Sequence, residues 1–376
     1  MGGIYIHIPF CHQACHYCDF HFSTQLGYVD QMVDAICEEI HLKRTQKGPD
    51  SLHTIYFGGG TPSLLTTSQL NRILNVIVKN YEVASGVEVT LEANPEDIAQ
   101  EKVREWIASG INRLSIGIQT FDDQRLVFLN RNHDSRSAHR CVEIARDTGI
   151  NNLTIDLIYA IPPDEMDYWK KDIETAVDLN IPHLSVYGLT IEEKTVFGNW
   201  YRKNKLDPVS ESTNEKQYLY AESTLQSAGY LHYEVSNYAK QDQYSKHNSN
   251  YWLQKAYIGI GPGAHSYDGA TRACNISNNH LYMQSISSGK IPEEVEELNP
   301  IQKLNEYILT RSRTIYGLDF VEIKEFFGVS IAEDRKEWIQ YLTKNKLAII
   351  DGKVLRLTSA GMKLADEITL KLFYNE

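Results

Sequence analysis

The chain has 376 residues, 42% of them hydrophobic and 23% charged, which is typical of a globular protein with one large core and a smaller appended unit. Its formal net charge of −12 argues against nucleic acid as a partner, because nucleic-acid binding depends on clustered Lys and Arg side chains. The sequence shows no secretory leader and no apolar run of about 18 residues that would span a membrane, so we expect a cytoplasmic protein.

Six short runs of apolar and β-branched residues, each followed by a segment of helical period, predict six βα units. Most of the runs are apolar almost throughout, which is typical of parallel strands buried on both faces. Such an array fits either a doubly wound sheet or a partial (β/α) barrel, and both folds place function at the carboxyl ends of the strands. The predicted strands cover residues 4–10, 54–57, 87–92, 113–119, 153–159 and 184–189.

Residues able to carry chemistry follow these predicted strands. A cysteine run comes after the first strand, and a glycine turn at 58–60 comes after the second. Glu92 ends the third strand and Gln119 ends the fourth. Because the carboxyl ends of parallel strands meet at one edge, we expect these groups to line one mouth.

The composition changes near residue 292, where an acidic stretch at 293–297 suggests an exposed linker to a second unit. We therefore divide the chain into residues 1–290 and 291–376. Helices followed by a two-stranded wing predict a small winged-helix-like α+β domain. Such modules often bind DNA, but the lack of a strongly basic surface favours packing or partner docking. The patterns are helices near 301–311, 320–327 and 332–343, a hairpin at 347–357 turning at Asp351 and Gly352, and a last helix from Ser359.

Three cysteines, Cys11, Cys15 and Cys18, follow the first strand at close spacing. In a reducing compartment this crowding suggests a metal site, and three thiolates suit either iron–sulfur or zinc. A nearby histidine would complete a Cys3His zinc site. The position of the loop, after a buried strand at the mouth of a βα array, favours a [4Fe-4S] cluster with one iron left open. The candidate histidines are His7, His12, His16 and His21.

Motifs along the whole chain carry a family resemblance. They are YIHIPFC at 5–11, CHYCDF at 15–20, GGGTP at 58–62, EANP at 92–95, SIGIQTF at 115–121, DLIY at 156–159 and GIGPGAHS at 259–266. Together they resemble the radical S-adenosylmethionine (SAM) superfamily, and more closely its branch of anaerobic coproporphyrinogen III oxidases and HemW haem chaperones. The resemblance implies a partial (β/α)6 barrel in which the three cysteines hold a [4Fe-4S] cluster and the open iron binds SAM.

The same resemblance implies a set of cofactor-binding residues. A glycine turn lets backbone groups approach the ligand, carboxylates suit its ammonium and hydroxyl groups, and Arg131 can pair with a carboxylate. Blander alternatives stay open, since the glycines alone can form a tight turn and Glu92 and Asp156 can be buried partners of Arg131. The implied SAM residues are Tyr5, Tyr17, Gly59, Gly60, Thr61, Glu92, Gln119, Arg131, Asp156, Gly188 and His265.

Two departures weaken an oxidase function. The coproporphyrinogen oxidases carry a further cysteine two residues past the third, where this chain has Phe20, and they have a longer N-terminal extension. The region 232–267 instead contains His247, Tyr251 and Trp252 in the spacing H-N-x-x-Y-W, which resembles a HemW motif linked to haem binding. Imidazole is a common ligand of haem iron, and the two aromatic rings offer flat apolar surface.

These features predict a haem chaperone that uses a [4Fe-4S] cluster and SAM. Its partners would be haem and an apo-haemoprotein acceptor, and a peripheral association with a membrane-bound acceptor stays open. The first alternative is a radical SAM oxidoreductase that acts on coproporphyrinogen III or another substrate by 5'-deoxyadenosyl radical hydrogen abstraction. The second is an interaction protein stapled by zinc.

Overall fold

The computed structural model describes residues 2–45 and 48–375, and all six predicted strands are present. They are β1 (Gly2–Ile8), β2 (Leu52–Gly59), β3 (Val83–Ala93), β4 (Arg113–Gln119), β5 (Leu153–Tyr159) and β6 (His183–Gly188). The helices between them are α1 (Val29–Lys43), α2 (Thr67–Asn80), α3 (Gln100–Ala108), α4 (Asp123–Phe128), α5 (Ser135–Thr148) and α6 (Asp167–Asp178).

The six strands lie side by side in chain order and all pair in parallel. A doubly wound sheet would reverse its strand order at a switch point. The unbroken order is therefore that of a partial (β/α) barrel, as the resemblance implied, and the sheet remains open because further strands extend both of its edges.

The segment after β6 extends this sheet on both sides. Strand β9 (Tyr257–Ile260) runs parallel beside β1 and was not predicted, since it is four residues long and lies at the start of a glycine-rich run. The new elements are α7 (Val196–Arg202), α8 (Glu211–Ser227), β7 (Leu231–Glu234), β8 (Asn237–Ala239), α9 (Lys246–Trp252), β9 (Tyr257–Ile260), β10 (His265–Tyr267), β11 (Thr271–Asn275), α10 (Asn279–Ser287) and β12 (Glu293–Glu297).

The acidic stretch expected to be a linker is strand β12, the outermost strand of the large sheet. It pairs antiparallel with β11, and Glu293 forms an ion pair with Lys43 of α1 at 3.0 Å. This strand forms through backbone hydrogen bonds to β11, which the side-chain pattern does not reveal. Charged side chains are suited to an exposed edge strand. The large sheet thus extends past residue 290, and the division of the chain there stays a prediction.

The C-terminal elements form a small α+β unit with its own hydrophobic core, which includes Ile308, Leu342 and Leu355. Its wing is a three-stranded antiparallel sheet, and the helix predicted near 332–343 is two helices. Across residues 2–45 and 48–375, no helix has the length and apolar content needed to cross a membrane. The elements are α11 (Pro300–Ser312), β13 (Leu318–Asp319), α12 (Phe320–Phe327), α13 (Ile331–Asp334), α14 (Lys336–Lys344), β14 (Ala348–Asp351), β15 (Val354–Leu357), α15 (Ser359–Met362) and α16 (Ala365–Leu370).

The two faces of the barrel strands differ in chemistry. On β1, Ile4, Ile6 and Ile8 are fully buried in the hydrophobic core, and burial of each contributes about 1.5–3 kcal/mol. The alternate residues Tyr5 and His7 point to the opposite face, because successive strand side chains alternate. Polar and aromatic side chains recur on that inner face of the neighbouring strands, so the barrel interior holds the chemistry.

Candidate functional site

A cavity of about 450 Å³ opens at the carboxyl ends of the barrel strands. This volume falls in the range of roughly 300–1,000 Å³ that is common for small-molecule sites. All the predicted cluster and SAM residues except Tyr5 and His265 line it. They are Cys11, Cys15, Tyr17, Cys18, Gly59, Gly60, Thr61, Glu92, Gln119, Arg131, Asp156 and Gly188.

The three cysteines lie on the loop after β1, and backbone hydrogen bonds shape that loop. The N–H of Cys11 donates to the carbonyl of Ser23 at 3.0 Å, and the N–H of Cys18 donates to the carbonyl of Cys15 at 3.3 Å. All three thiols are free, and burial raises the pKa of Cys11 to about 11 and that of Cys18 to about 12. Since thiolates bind metals, the loop needs a cationic centre to hold these sulfurs ionised.

Arg131 joins the cysteine loop to the barrel. Its Nη1 lies 3.4 Å from Cys15 Sγ, and its Nη2 donates to Asn94 Oδ1 at 2.6 Å and to the carbonyl of Gly117 at 2.7 Å. The Nε of Arg131 is buried without a hydrogen-bond partner. A buried unpaired donor is costly, and an acceptor group of a ligand in this cavity would satisfy it.

Glu92 lies beside the glycine turn. Tyr56 donates its hydroxyl proton to Glu92 Oε1 at 2.7 Å, and the N–H of Gly59 donates to Oε2 at 3.2 Å. Burial raises the pKa of Glu92 to about 7, although both hydrogen bonds oppose the rise. Gly59 has a φ of +109°, and a Cβ there would lie 2.6 Å from the His7 ring, so only glycine permits this turn.

Asp156 and Gln119 complete the wall of the cavity. Burial raises the pKa of Asp156 to about 6, with Ser185 and two arginines acting against the rise. Gln119 has a φ of +70°, a strained conformation for a residue other than glycine and one that recurs at functional sites. Two neutralisable carboxyl groups facing one cavity can bind a cationic ligand group or its hydroxyls.

Some cavity residues were missed by sequence reasoning. Asn94, Ser115 and Tyr187 also line the cavity, and Asn94 holds Arg131 in place. Asn94 and Ser115 fall within motifs that carried the resemblance, so their motif position was the available signal. Tyr187 lies within the last barrel strand, β6, but outside the motifs, so it offers no such signal.

The cavity fits a [4Fe-4S] cluster with SAM. Three free thiols, an unpaired guanidinium donor and two buried carboxyl groups supply cluster ligands and partners for an amino acid group and hydroxyls. Among residues 2–45 and 48–375, no three His, Cys, Asp or Glu side chains form a group that would hold a single metal ion.

Two of the predicted SAM residues lie outside the cavity lining. Tyr5 lies deeper in the barrel, where its hydroxyl shares a hydrogen bond of 3.2 Å with His7 Nδ1 and its ring stacks on Tyr56. His265 lies on β10 in the antiparallel extension, with Nε2 3.5 Å from Cys274 Sγ. The structure therefore does not bring His265 to the mouth of the barrel.

The predicted haem residues lie at the opposite end of the barrel. Helix α9 places His247 against the amino-terminal halves of β1 and β2, where it is 2% exposed. Its Nδ1 is 2.8 Å from Thr54 Oγ1 and its Nε2 is 2.8 Å from the Tyr251 hydroxyl. Trp252, at the end of α9, is half-buried. Both ring nitrogens of His247 are thus engaged within the protein.

One side chain joins the two ends. The ring of Tyr56 stacks on the His247 ring, with centroids 4.8 Å apart, while its hydroxyl bonds Glu92. Beside them a polar cavity of about 50 Å³ is lined by Tyr56, Glu92, Asp156 and Asn248 among others, which is room for a few water molecules. The floor of the barrel therefore contacts the mouth through a polar interior.

Comparisons with known proteins agree with this geometry. A model of the radical SAM superfamily matches residues 5–176. A protein named "Heme chaperone HemW" from Lactococcus lactis is 35% identical and covers 100% of this chain and 98% of its own length, and one from Bacillus subtilis is 33% identical and covers 98% of each. The solved structure described as coproporphyrinogen III oxidase (HemN) from Escherichia coli superposes with a TM-score of 0.85 at 22% identity, covering 99% of this chain and 90% of that one.

The fold and the cysteine-lined mouth define a radical SAM protein, and this class implies a [4Fe-4S] cluster and SAM as cofactors. Within the class, the full-length identity to several relatives places the chain in the HemW family. The likeness to the oxidase, at 22% identity, shows a shared fold.

Proposed function

We propose that this protein is a haem chaperone, which binds haem and delivers it to an apo-haemoprotein with the help of a [4Fe-4S] cluster and SAM. The observation that carries the proposal is the full-length identity to relatives named as haem chaperones. A cytoplasmic site of action is part of the proposal. An acceptor at the membrane would require only peripheral contact.

The residues at the mouth have defined tasks in this proposal. Cys11, Cys15 and Cys18 hold the cluster, and Arg131 is placed to neutralise a carboxylate of SAM beside Cys15. Glu92 accepts a hydrogen bond or pairs with the ammonium group when it is ionised. When bound, the cluster supplies a reducing iron centre next to the SAM sulfonium.

The role of the motif residues is also a proposal. His247 lies on the inner face of the barrel floor, so a haem that it coordinated would need α9 to move. Such a movement breaks the hydrogen bonds to Thr54 and Tyr251 and exposes a ring that is now 2% accessible. The burial keeps this imidazole neutral, since it lowers the pKa of His247 to about 3, and the neutral ring is the form that binds iron.

The test is haem binding followed by haem transfer. Anaerobically reconstituted protein is titrated with haem and followed by absorbance, and the loaded protein is then mixed with an apo-haemoprotein. We expect saturation near one equivalent and transfer to the acceptor at a rate that depends on the acceptor concentration. Iron-free porphyrin provides the control for adventitious binding to apolar surface.

Two results would contradict the proposal. One is haem binding that never saturates and never passes to an acceptor. The other is anaerobic conversion of coproporphyrinogen III to protoporphyrinogen IX with release of 5'-deoxyadenosine, which would establish the oxidoreductase alternative instead.

A further inference from the structure

His265 differs from the motif histidine in exposure and in its partners. Its ring is exposed at the protein surface on β10, and its Nε2 lies 3.5 Å from the thiol of Cys274. A thiol is a weak hydrogen-bond partner. His247 is 2% exposed and both of its nitrogens are bonded to hydroxyl groups at 2.8 Å. A metal centre can therefore bind His265 by displacing one weak contact, whereas at His247 it must break a hydrogen bond and expose a buried ring.

An aromatic row connects His265 to the motif helix. Tyr267 follows His265 by two residues and lies opposite Tyr257 in the sheet, so all three side chains share one face. The Tyr257 ring stands edge-on to the ring of Tyr251 with centroids 4.7 Å apart, and its centroid is 6.3 Å from that of Tyr267. Half-buried aromatic rings therefore connect the motif residue Tyr251 with the exposed imidazole.

A cation lies on the same face. Arg272 of β11 is opposite Tyr267 in the antiparallel pair, is 41% exposed, and forms an ion pair with Glu306. The guanidinium geometry suits a carboxylate partner, so a ligand carboxylate can replace Glu306 there. The carboxylates of Glu294 and Glu296 on the neighbouring edge strand repel a dianionic ligand. The positive charge of Arg272 is therefore needed on this face to attract such a ligand.

We propose that haem docks on this face, with His265 Nε2 as an axial ligand of the iron, the porphyrin against Tyr257 and Tyr267, and a propionate at Arg272. The inference rests on the proposed function and identifies a different docking site for the same ligand. It uses three chemistries that suit haem, namely a neutral nitrogen donor, aromatic rings and a cation for a propionate.

The thiol next to His265 leaves the iron to the imidazole. Burial, helped by the nearby Glu294 carboxylate, raises the pKa of Cys274, so its neutral thiol competes poorly for iron. Burial and Arg272 together lower the pKa of His265, which keeps its nitrogen free of a proton. When Nε2 binds iron, the contact with Cys274 Sγ is broken, and a propionate at Arg272 replaces the ion pair with Glu306.

The experiment compares ferric haem titrations of the reconstituted wild type with His265→Ala, Cys274→Ala and His280→Ala. His280 is an exposed histidine on α10, so its variant is the matched control. We expect His265→Ala to weaken haem binding at least tenfold and to lose the nitrogen-ligand signature in the electron paramagnetic resonance spectrum. We expect His280→Ala to match the wild type and Cys274→Ala to keep that signature. Iron-free protoporphyrin should bind wild type and His265→Ala alike.

The outcomes separate this inference from the proposed function. If the wild type shows no saturable haem binding, the proposed function fails. If the wild type saturates and His265→Ala binds equally well with an unchanged spectrum, the docking site is wrong while the chaperone function stands. A thiolate-ligand spectrum that disappears in Cys274→Ala would overturn the assignment of His265 as the ligand. Circular dichroism of each variant checks that the fold is retained.

Discussion

The polar groups at the mouth and at the floor of the barrel differ in how fully they are hydrogen-bonded. At the mouth, the Nε of Arg131 has no partner, Glu92 has a pKa of about 7, and Gln119 holds a strained φ of +70° around an open cavity. At the floor, both nitrogens of His247 are bonded and its ring is stacked on Tyr56. The mouth has the features of a site awaiting a ligand, whereas the imidazole at the floor is fully bonded without one.

This contrast separates two motifs that look alike in the sequence. Each is a short run with metal-ligating and aromatic residues, and each was assigned a cofactor. The local geometry supports a ligand directly at the cysteine loop, but at α9 it supports a structural role first. Even Gly3 serves the floor, since a Cβ there would lie 2.3 Å from Thr54 Oγ1 and 3.1 Å from His247 Nδ1.

The largest expected effect is at the mouth. Cys15→Ala removes one of three thiolates from a cluster that has no spare protein ligand, so we expect iron and acid-labile sulfide to fall to background and SAM binding to be lost. Iron and sulfide analysis after anaerobic reconstitution measures this. Cys141→Ala is the matched control, because Cys141 is buried on α5 away from the loop. A Cys15→Ala protein that retained a full cluster would show that the loop is not the cluster site.

The second prediction concerns the floor. His247→Ala leaves Thr54 Oγ1 and the Tyr251 hydroxyl without their partner and opens a cavity beside Tyr56. We expect the free energy of unfolding to fall by about 3 kcal/mol, measured by urea denaturation. His280→Ala should change it by less than about 0.5 kcal/mol. The cluster content of His247→Ala should match the wild type.

The stability that His247 contributes should depend on pH. Burial lowers the pKa of His247 to about 3 in the folded protein, below its value of about 6.5 in the unfolded chain. The neutral ring therefore stabilises the fold fully above pH 6.5, and this contribution is lost as the pH falls toward 3. The stability difference between wild type and His247→Ala should shrink over that window. A difference that grows on acidification would mean that the ring is charged in the folded state.

The third prediction uses the raised pKa of Glu92 at the mouth. Its carboxylate form attracts the SAM ammonium group, so we expect SAM affinity to fall about tenfold as the pH drops from 8 to 6 across the pKa of about 7. Glu92→Gln should remove this dependence. Isothermal titration calorimetry measures the SAM affinity of both proteins at each pH. The protonation of SAM itself cancels in the ratio of the wild-type and Glu92→Gln affinities.

Tyr56→Phe sharpens the same prediction. The Tyr56 hydroxyl donates to Glu92 and holds its pKa down against burial, so its removal should move the midpoint of SAM affinity to higher pH. Without SAM, the stability of the fold depends on pH in the opposite direction from SAM affinity. A carboxyl group with a raised pKa stabilises the fold below about pH 4.5, and this contribution is lost as the pH rises through 7. An unchanged midpoint in Tyr56→Phe would show that Glu92 is not the titrating group.

Sequence reasoning predicted the mouth better than the floor for a physical reason. The carboxyl ends of parallel strands must meet, so residues such as Gly59, Glu92 and Gln119 could be grouped from strand order alone. The six strands were equally readable, since continuous apolar runs mark buried parallel strands. The motif at α9 gave its residue types but not its burial, because nothing in H-N-x-x-Y-W reports that β1 and β2 cover the imidazole.

The antiparallel extension was the least predictable part. Strand β9 is apolar but only four residues long, too short to be recognised by its pattern, and β12 is almost entirely acidic, so it shows no hydrophobic pattern. Their positions depend on backbone pairing with β1 and β11, which the side chains do not encode. The sequence therefore did not predict that Tyr257 and Tyr267 share one face of the sheet.

The smallest expected effect distinguishes the two histidines. Tyr251→Phe removes one hydrogen bond from His247 Nε2 and keeps the ring contact with Tyr257, so stability should fall by only about 1 kcal/mol. If His247 is the haem ligand, the variant frees its nitrogen and haem should bind more tightly than to the wild type. If haem is held by His265, the affinity should stay within about twofold, because the aromatic face is intact. One haem titration of Tyr251→Phe therefore decides whether the floor must open for haem to bind.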